Sequence, residues 1–319
     1  MMMKRRTFMK KAATSAAALG TNALLAHGLR SPVALTAKGM SDLKLSLAQW
    51  SLHRQFVDGN LNPIEFASIA IYTYGINAVE YVNQFYTDSG KDEKFWINMK
   101  KRADNVGVRS LLIMVDDEGD LGVANDKERK VAVENHYKWV NAAKILGCHS
   151  IRVNAFGEPE KTAFRTAIID SMGHLCEYAA RENINIIIEN HGLHSADGKL
   201  ISGIVKQVNK PNLGTFPDFG NWCLSAKWGS TQGDCSEVYD RYKGVAEFLP
   251  FAKAVSAKSY NFNARGEDTK IDYYKMLKIV KDSGYSGYIG IEYEGEILSE
   301  HEGILATKAL IEKVWKSLD

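Results

Sequence analysis

The chain is 319 residues long, 45% hydrophobic and 24% charged, with six prolines. That composition excludes a disordered, collagen-like or disulfide-miniprotein class and leaves room for one large domain or two medium ones. Its net charge of +2 is uneven: the first forty residues hold seven Lys/Arg and no acid, leaving 33 basic against 38 acidic residues, about −5, which speaks against a nucleic-acid-binding surface.

In chain order, Lys4-Arg5-Arg6-Thr7-Phe8-Met9-Lys10 comes first and resembles the twin-arginine export signal, with Lys4 where Ser or Thr is usual and Met9 where Leu is usual. The Ala-rich run from Ala12 to Ala26 is short and weakly apolar for a bilayer span. Residues 1–40 therefore read as a leader, and the expected location is the bacterial periplasm, reached in the folded state. The mature domain is not expected to insert into a membrane. Of the four cysteines, Cys176 lies in a helical pattern and reads as a small buried hydrophobe. The spacing of Cys148, Cys176, Cys223 and Cys235 fits no zinc motif. Cys223 and Cys235 share one loop, and their pairing is left open.

From residue 43 the chain alternates between short β-rich runs and helical patterns. The runs are Lys44–Leu52, Ala78–Phe85, Ser110–Val115, Ser150–Ala155, Asn185–Asn190, Leu213–Asp218, Ala254–Tyr260 and Gly287–Tyr293. Asn62-Pro63 opens the first helical segment. Lys127–Leu146, Lys161–Glu182, Ser236–Ala252, Ile271–Ser283 and His301–Leu318 carry apolar residues at helical spacing. Gly75, Gly107, Gly147 and Gly284 fall where helices should end. Strand starts lie roughly 30 to 40 residues apart, the size of a βα unit. Strands such as Ile186-Ile187-Ile188 lack polar alternation, as a parallel sheet covered on both faces requires. The expected fold is α/β, a single (β/α)8 TIM barrel over residues 43–317. A doubly wound sheet is the runner-up, disfavoured because no Gly-rich phosphate loop follows the first strand. The longest irregular stretch, Gly220–Asp240, is expected over the barrel mouth.

Catalytic groups of such barrels come from the C-terminal ends of several strands. There the sequence places Glu80, Arg152, Asn154, Glu189, Asp218, Lys258 and Glu292. A carboxylate directly after three isoleucines is costly in a dry core unless cations or donors meet it. Glu189, Asp218 and Glu292 are therefore expected to converge, neutralised by a divalent ion: Mn or Mg with oxygen ligands alone, Zn or Co in a mixed site. The simpler arrangement is a set of ion pairs, Glu80 with Arg152 and Glu292 with Lys258. His136, His149, His174 and His301 read as structural or surface residues. His53, His191 and His194 are better placed. Trp50, Trp222, Phe219 and Tyr260 are candidates to stack on a sugar face.

Ile-Ile-Glu189-Asn-His, Asp218-Phe-Gly-Asn221, Val-Ser-Ala-Lys258-Ser and Gly-Tyr-Ile-Gly-Ile-Glu292-Tyr-Glu-Gly, in that order, resemble the sugar phosphate isomerase/epimerase family. These are xylose-isomerase-like TIM barrels related to endonuclease IV, and the resemblance spans about residues 43–317. It implies a metal held by Glu, Asp, His and Glu, with the two glutamates also acting as acid and base. By motif position the ligands are Glu189, Asp218 and Glu292. The family's histidine falls on Ser256, its following Asp on Ser259, and a second frequent histidine on Asn221.

The function expected from this is metal-assisted proton transfer next to the carbonyl of a sugar or keto-sugar. Glu189, Glu292 and Lys258 are the catalytic candidates. Trp50, His53, Asn154, His191 and Asn221 are the substrate-binding candidates. An exported enzyme is expected to act on a neutral carbohydrate rather than a phosphorylated one. Two rivals accompany this reading: a lyase on 3-keto-glycosides, and a non-catalytic sugar-binding barrel or accessory subunit. A phosphodiesterase acting on DNA is disfavoured, because histidine is missing at both family positions and the remainder is acidic. The sequence carries no signal of oligomeric state.

Overall fold

The computed structural model describes residues 43–318. The leader expected at 1–40 lies outside the described residues. Eight parallel strands appear where the β-rich runs fall: β1 Lys44–Ala48, β2 Ala78–Val82, β3 Arg109–Val115, β4 Ser150–Asn154, β5 Asn185–Glu189, β6 Leu213–Phe216, β7 Val255–Ser259 and β8 Tyr288–Tyr293. Helices alternate with them, among them Asp126–Leu146, Lys161–Arg181, Tyr273–Asp282 and Glu300–Ser317. The pairing runs β6-β5-β4-β3-β2-β1-β8-β7. Closure between β6 and β7 has no regular ladder; it is made by isolated parallel bridges, Thr215 with Ala252 and Asp218 with Ser256. The chain is thus the (β/α)8 barrel the alternation implied, with its looser seam at one of the polar positions.

The period of two along each strand sorts the side chains. Ala48, Val82, Leu112, Met114, Ile187, Phe216 and Ala254 form a small cluster of their own. Their sequence neighbours Leu47, Tyr81, Ile113, Val115, Ile186 and Ile188 belong to the larger core shared with the helices. Continuing the first set by steps of two toward the C-terminal ends gives Asp116, Glu189 and Asp218. The apolar interior therefore feeds directly into a polar mouth. Gly75 and Gly147 end their helices in the left-handed region, as expected of a glycine at that position. No helix among the described residues is long and apolar enough to cross a membrane.

Glu80 is placed differently from expectation. It does not pair with Arg152; its Oε1 accepts from Ser46 Oγ at 2.6 Å, and its Oε2 is buried without a hydrogen-bond partner. Gly290 makes room for it, since a Cβ there would lie 2.6 Å from Oε1. Burial, with the Glu292 charge adding to it, pushes the Glu80 carboxyl up to about 8 despite the Ser46 bond.

Candidate active site

A cavity of about 300 Å³ opens at the C-terminal mouth, fronted by Trp50, Asp116, Arg152, His191, Trp228 and Glu292. Two buried cations organise it. The Arg152 guanidinium lies 2.5 Å from Asp116 Oδ1 and 2.8 Å from Glu189 Oε2. Lys258 Nζ lies 3.0 Å from Glu292 Oε1 and 3.1 Å from Glu294 Oε1. The strand register explains both sets, because Asn154 is paired with Glu189 and Lys258 with Glu292 across neighbouring strands. Of the two ion pairs the simpler arrangement called for, Glu292–Lys258 exists.

Ser256 Oγ joins the other carboxylates, 2.6 Å from Asp218 Oδ2 and 2.9 Å from Glu292 Oε2. One hydroxyl carries one proton, so satisfying both contacts calls for a second proton on a carboxyl. Burial, with Glu292 nearby, raises Asp218 to about 6 against the pull of Lys258. Its Oδ1 also accepts from the backbone N–H of Gly220 and Asn221, at 2.7 and 2.8 Å. Asn221 Nδ2 reaches Glu189 Oε1 at 3.2 Å. Burial holds Glu189 well above the usual carboxylate range, only partly offset by Arg152. Asp116 goes the other way: burial would raise it, but the Arg152 charge and the hydrogen bonds from Arg152 and Asn154 bring it below its ordinary value.

One hydrogen-bond chain fixes the state of His191. Arg152 can only donate, and its Nη1 lies 3.1 Å from Asn154 Oδ1, so that atom is an acceptor. Asn154 Nδ2 donates to Asp116 Oδ1 at 2.6 Å, in agreement. His191 Nδ1, 2.7 Å from Asn154 Oδ1, must therefore carry its proton and donate. Nε2 is left as a lone-pair acceptor. Burial and the Arg152 charge hold the imidazole well below its ordinary value, so it stays neutral.

The side chains expected to form a metal shell are engaged otherwise. Among the described residues no group of three His, Cys, Asp or Glu side chains is arranged to hold a metal ion. Glu292 meets Lys258 and Ser256, Asp218 meets Ser256 and two amides, and Glu189 meets Arg152 and Asn221. Glu189 Oε2 and Asn221 Oδ1, with the Tyr260 hydroxyl, are the other buried oxygens here without a hydrogen-bond partner, but Glu189 Oε2 already faces the Arg152 charge at 2.8 Å, and one free amide oxygen is not a shell. Two fixed positive charges stand among the carboxylates, and a third, divalent one would be repelled by them. As arranged, Glu189, Asp218 and Glu292 do not fit a shared divalent ion.

The other expected residues divide. Trp50 fronts the cavity and His191 borders it. His53 does not; it stacks on Trp50 with ring centroids 4.6 Å apart and faces a neighbouring hollow. Asn154 and Asn221 lie behind the cavity and position charged partners. Lys258, Glu189 and Asp218 also sit one layer beneath the wall. His194 turns to the Pro159 carbonyl, away from the site. Trp222, Phe219 and Tyr260 are fully buried core rings. Sequence reasoning missed Asp116, Trp228 and Glu294. Asp116 follows the apolar run of β3 just as Glu189 follows β5, so the same rule would have found it. Trp228 sits in the irregular stretch, which does lie over the mouth and is closed by a disulfide between Cys223 and Cys235.

The sequence model of a family described as "Xylose isomerase-like TIM barrel" matches residues 69–314. A mouse protein named "Putative hydroxypyruvate isomerase" is 24% identical over 211 residues, covering 60% of this chain and 72% of that protein. The 3'-dehydrocarminate deglycosidase alpha subunit of a Microbacterium species is 20% identical over 263 residues, covering 62% of this chain and 72% of that protein. Among solved structures, the apo form of 3-keto-D-glucoside 4-epimerase from E. coli superposes with a TM-score of 0.64 at 13% identity, over 85% of this chain and 99% of that one. The IOLI protein with a binding zinc atom gives 0.65 at 14%, over 87% and 99%. A barrel from Mycobacterium smegmatis in complex with magnesium gives 0.62 at 12%, over 88% and 99%.

Proposed function

This chain belongs to the xylose isomerase-like TIM barrel family, and on that premise we propose that it is an isomerase or epimerase moving a proton on the carbon next to the carbonyl of a sugar or keto-sugar. The observation that carries the reading is the Glu292 carboxylate on the cavity wall, backed by Lys258 and Ser256, in one cavity with the Arg152 guanidinium. Glu292 takes the proton and, as the carboxylic acid, returns it to the adjacent carbon in an isomerisation; in an epimerisation the proton comes back from solvent on the opposite face. Of the expected acid/base pair only Glu292 fronts the cavity; Glu189 holds Arg152. The negative charge that develops on the carbonyl oxygen is met by Arg152, with Lys258 behind the wall. His191 Nε2 accepts a substrate hydroxyl. No step is routed through a metal ion.

Glu292→Gln tests this directly. Deuterium wash-in from D2O to the carbon beside the carbonyl, measured over a panel of keto-sugars, should fall by about 10³-fold or more. An undiminished rate removes Glu292 from the role. A lyase acting on a 3-keto-glycoside is the second reading, favoured by the deglycosidase relative. It begins with the same proton abstraction and ends in a released aglycone instead of a rearranged sugar, so product analysis separates the two.

We also propose export to the periplasm. The Lys4–Lys10 segment supports it, as does the Cys223–Cys235 disulfide, a bond suited to an oxidising compartment. Export of a reporter fusion should be lost on Arg5→Lys with Arg6→Lys; export that survives sinks the proposal.

A further inference from the structure

The cavity is not the only hollow at the mouth. A second one of about 810 Å³ adjoins it, and the two share Trp50, Ser230 and Glu294. The chambers differ in chemistry. The inner one holds Glu292, Arg152 and His191, the groups suited to a reacting centre. The outer one is walled by Arg54, Gln232, Asn261, Lys270 and Glu296, donors and acceptors of the kind that meet hydroxyls or ring substituents, with the Trp50–His53 stack along one side.

The inner chamber has its own aromatic wall. Trp228 is 39% exposed and lies at a φ of 71°, the left-handed region, where a bulky side chain is strained. The loop over-determines that conformation. Cys223 N–H donates to Gly229 O at 3.0 Å, Leu193 N–H to Cys223 O at 3.0 Å, and the disulfide shuts the loop. Gly192 allows the approach, since a Cβ there would lie 2.5 Å from Gly229 N. Trp228 is thus held edge-to-face against His191 and Phe156, with ring centroids 5.1 and 5.4 Å apart. Strain of this sort persists where the rest of the structure enforces it, and here it sets an exposed indole on a cavity wall.

Resting on the carbohydrate reading above, we propose that the substrate is a glycoside, with its reacting sugar ring in the inner chamber against Trp228 and its attached group passing between Trp50 and Ser230 into the outer chamber. A free monosaccharide fills only the first compartment. The reading therefore predicts selection for substrates with a second ring, whichever bond is finally changed.

Gly233 offers a clean block. It borders the outer chamber only, and a Cβ added there meets nothing within 4 Å. Calorimetric titration of the full chain with methyl and 4-nitrophenyl glucosides, both anomers of each, needs no turnover. The nitrophenyl glycoside should bind at least about tenfold more tightly than its methyl counterpart. Gly233→Trp should erase that difference and leave methyl glucoside binding unchanged, while Trp228→Phe should weaken both ligands alike. Equal affinities in the parent protein, or a preference that survives Gly233→Trp, overturn the two-compartment reading alone. Failure of these glucosides and of every keto-sugar in the exchange panel to bind overturns the carbohydrate reading with it.

Discussion

The two halves of the barrel mouth solve one problem in two ways. On the β3–β5 side a guanidinium lies between Asp116 and Glu189 and also reaches Asn154. On the β7–β8 side an ammonium lies between Glu292 and Glu294, with Ser256 alongside. Arginine is a planar fork that fixes several partners at once; lysine is a point charge on a flexible stem. Three of the Arg152 side's members are locked by the chain that also sets the His191 tautomer. The Lys258 side is less constrained, and its outer carboxylate Glu294 is 21% exposed. The first half reads as a frame and the second as the working part.

That contrast can be broken most sharply by removing each cation. Arg152→Met leaves two buried carboxylates without a charged partner and should cost about 3–5 kcal/mol in urea unfolding. Lys258→Met should cost clearly less stability, since Glu294 reaches water, but should slow deuterium exchange by about 10²-fold. Equal stability losses, or an exchange rate untouched by Lys258→Met, would erase the division of labour.

The same two charges bear on metal dependence. Dialysis against EDTA, or addition of Mn2+ or Zn2+, should shift Tm by less than about 1 °C, because a ligand stabilises only in proportion to its binding. A rise of several degrees with either ion would restore the shared metal and demote both cations.

A smaller effect sets the mouth against the barrel interior. The folded-state pKa of Glu80, about 8, is raised above its ordinary 4.5. The folded protein therefore holds this proton more tightly than the unfolded chain. Its contribution is fully present below about pH 4.5 and is lost as pH rises through about 8. Glu80→Gln should flatten the stability profile across that window and raise Tm at pH 8 relative to the parent. A profile unchanged by the substitution would place the titration elsewhere, in Asp218 or Glu189.

The disulfide should matter least to the fold. Cys235→Ser opens a loop of sequence separation 12 on the rim. It should weaken glycoside binding a few-fold through Trp228 while moving Tm little, since the barrel core is not involved. Unchanged binding would detach Trp228 from the loop's closure.

How much of this was legible in the sequence follows from physical range. Strand positions were, because burial on both faces writes itself as apolar runs: all eight strands lie within their expected runs to within a residue. The polar strand ends were also legible, since a carboxylate after Ile186-Ile187-Ile188 announces a special environment. What neutralises those carboxylates was not. That depends on which strand neighbours which and in what register, as in the pairing of Lys258 with Glu292. A divalent ion and two cationic side chains satisfy the same charge rule, and only the coordinates separate them. Trp222 and Trp228 show the limit again: both are tryptophans of one loop, yet the first is core and the second is cavity wall.

The seam between β6 and β7 gives this arrangement a mechanical side. Where other staves of the cylinder are riveted by continuous ladders, this joint rests on a few contacts, among them the Asp218–Ser256 bridge, and that serine also touches Glu292. The latch of the barrel and the wall of the proposed site are therefore one piece of hardware. Ser256 thereby links the charge on Glu292 to the joint that the serine bridges.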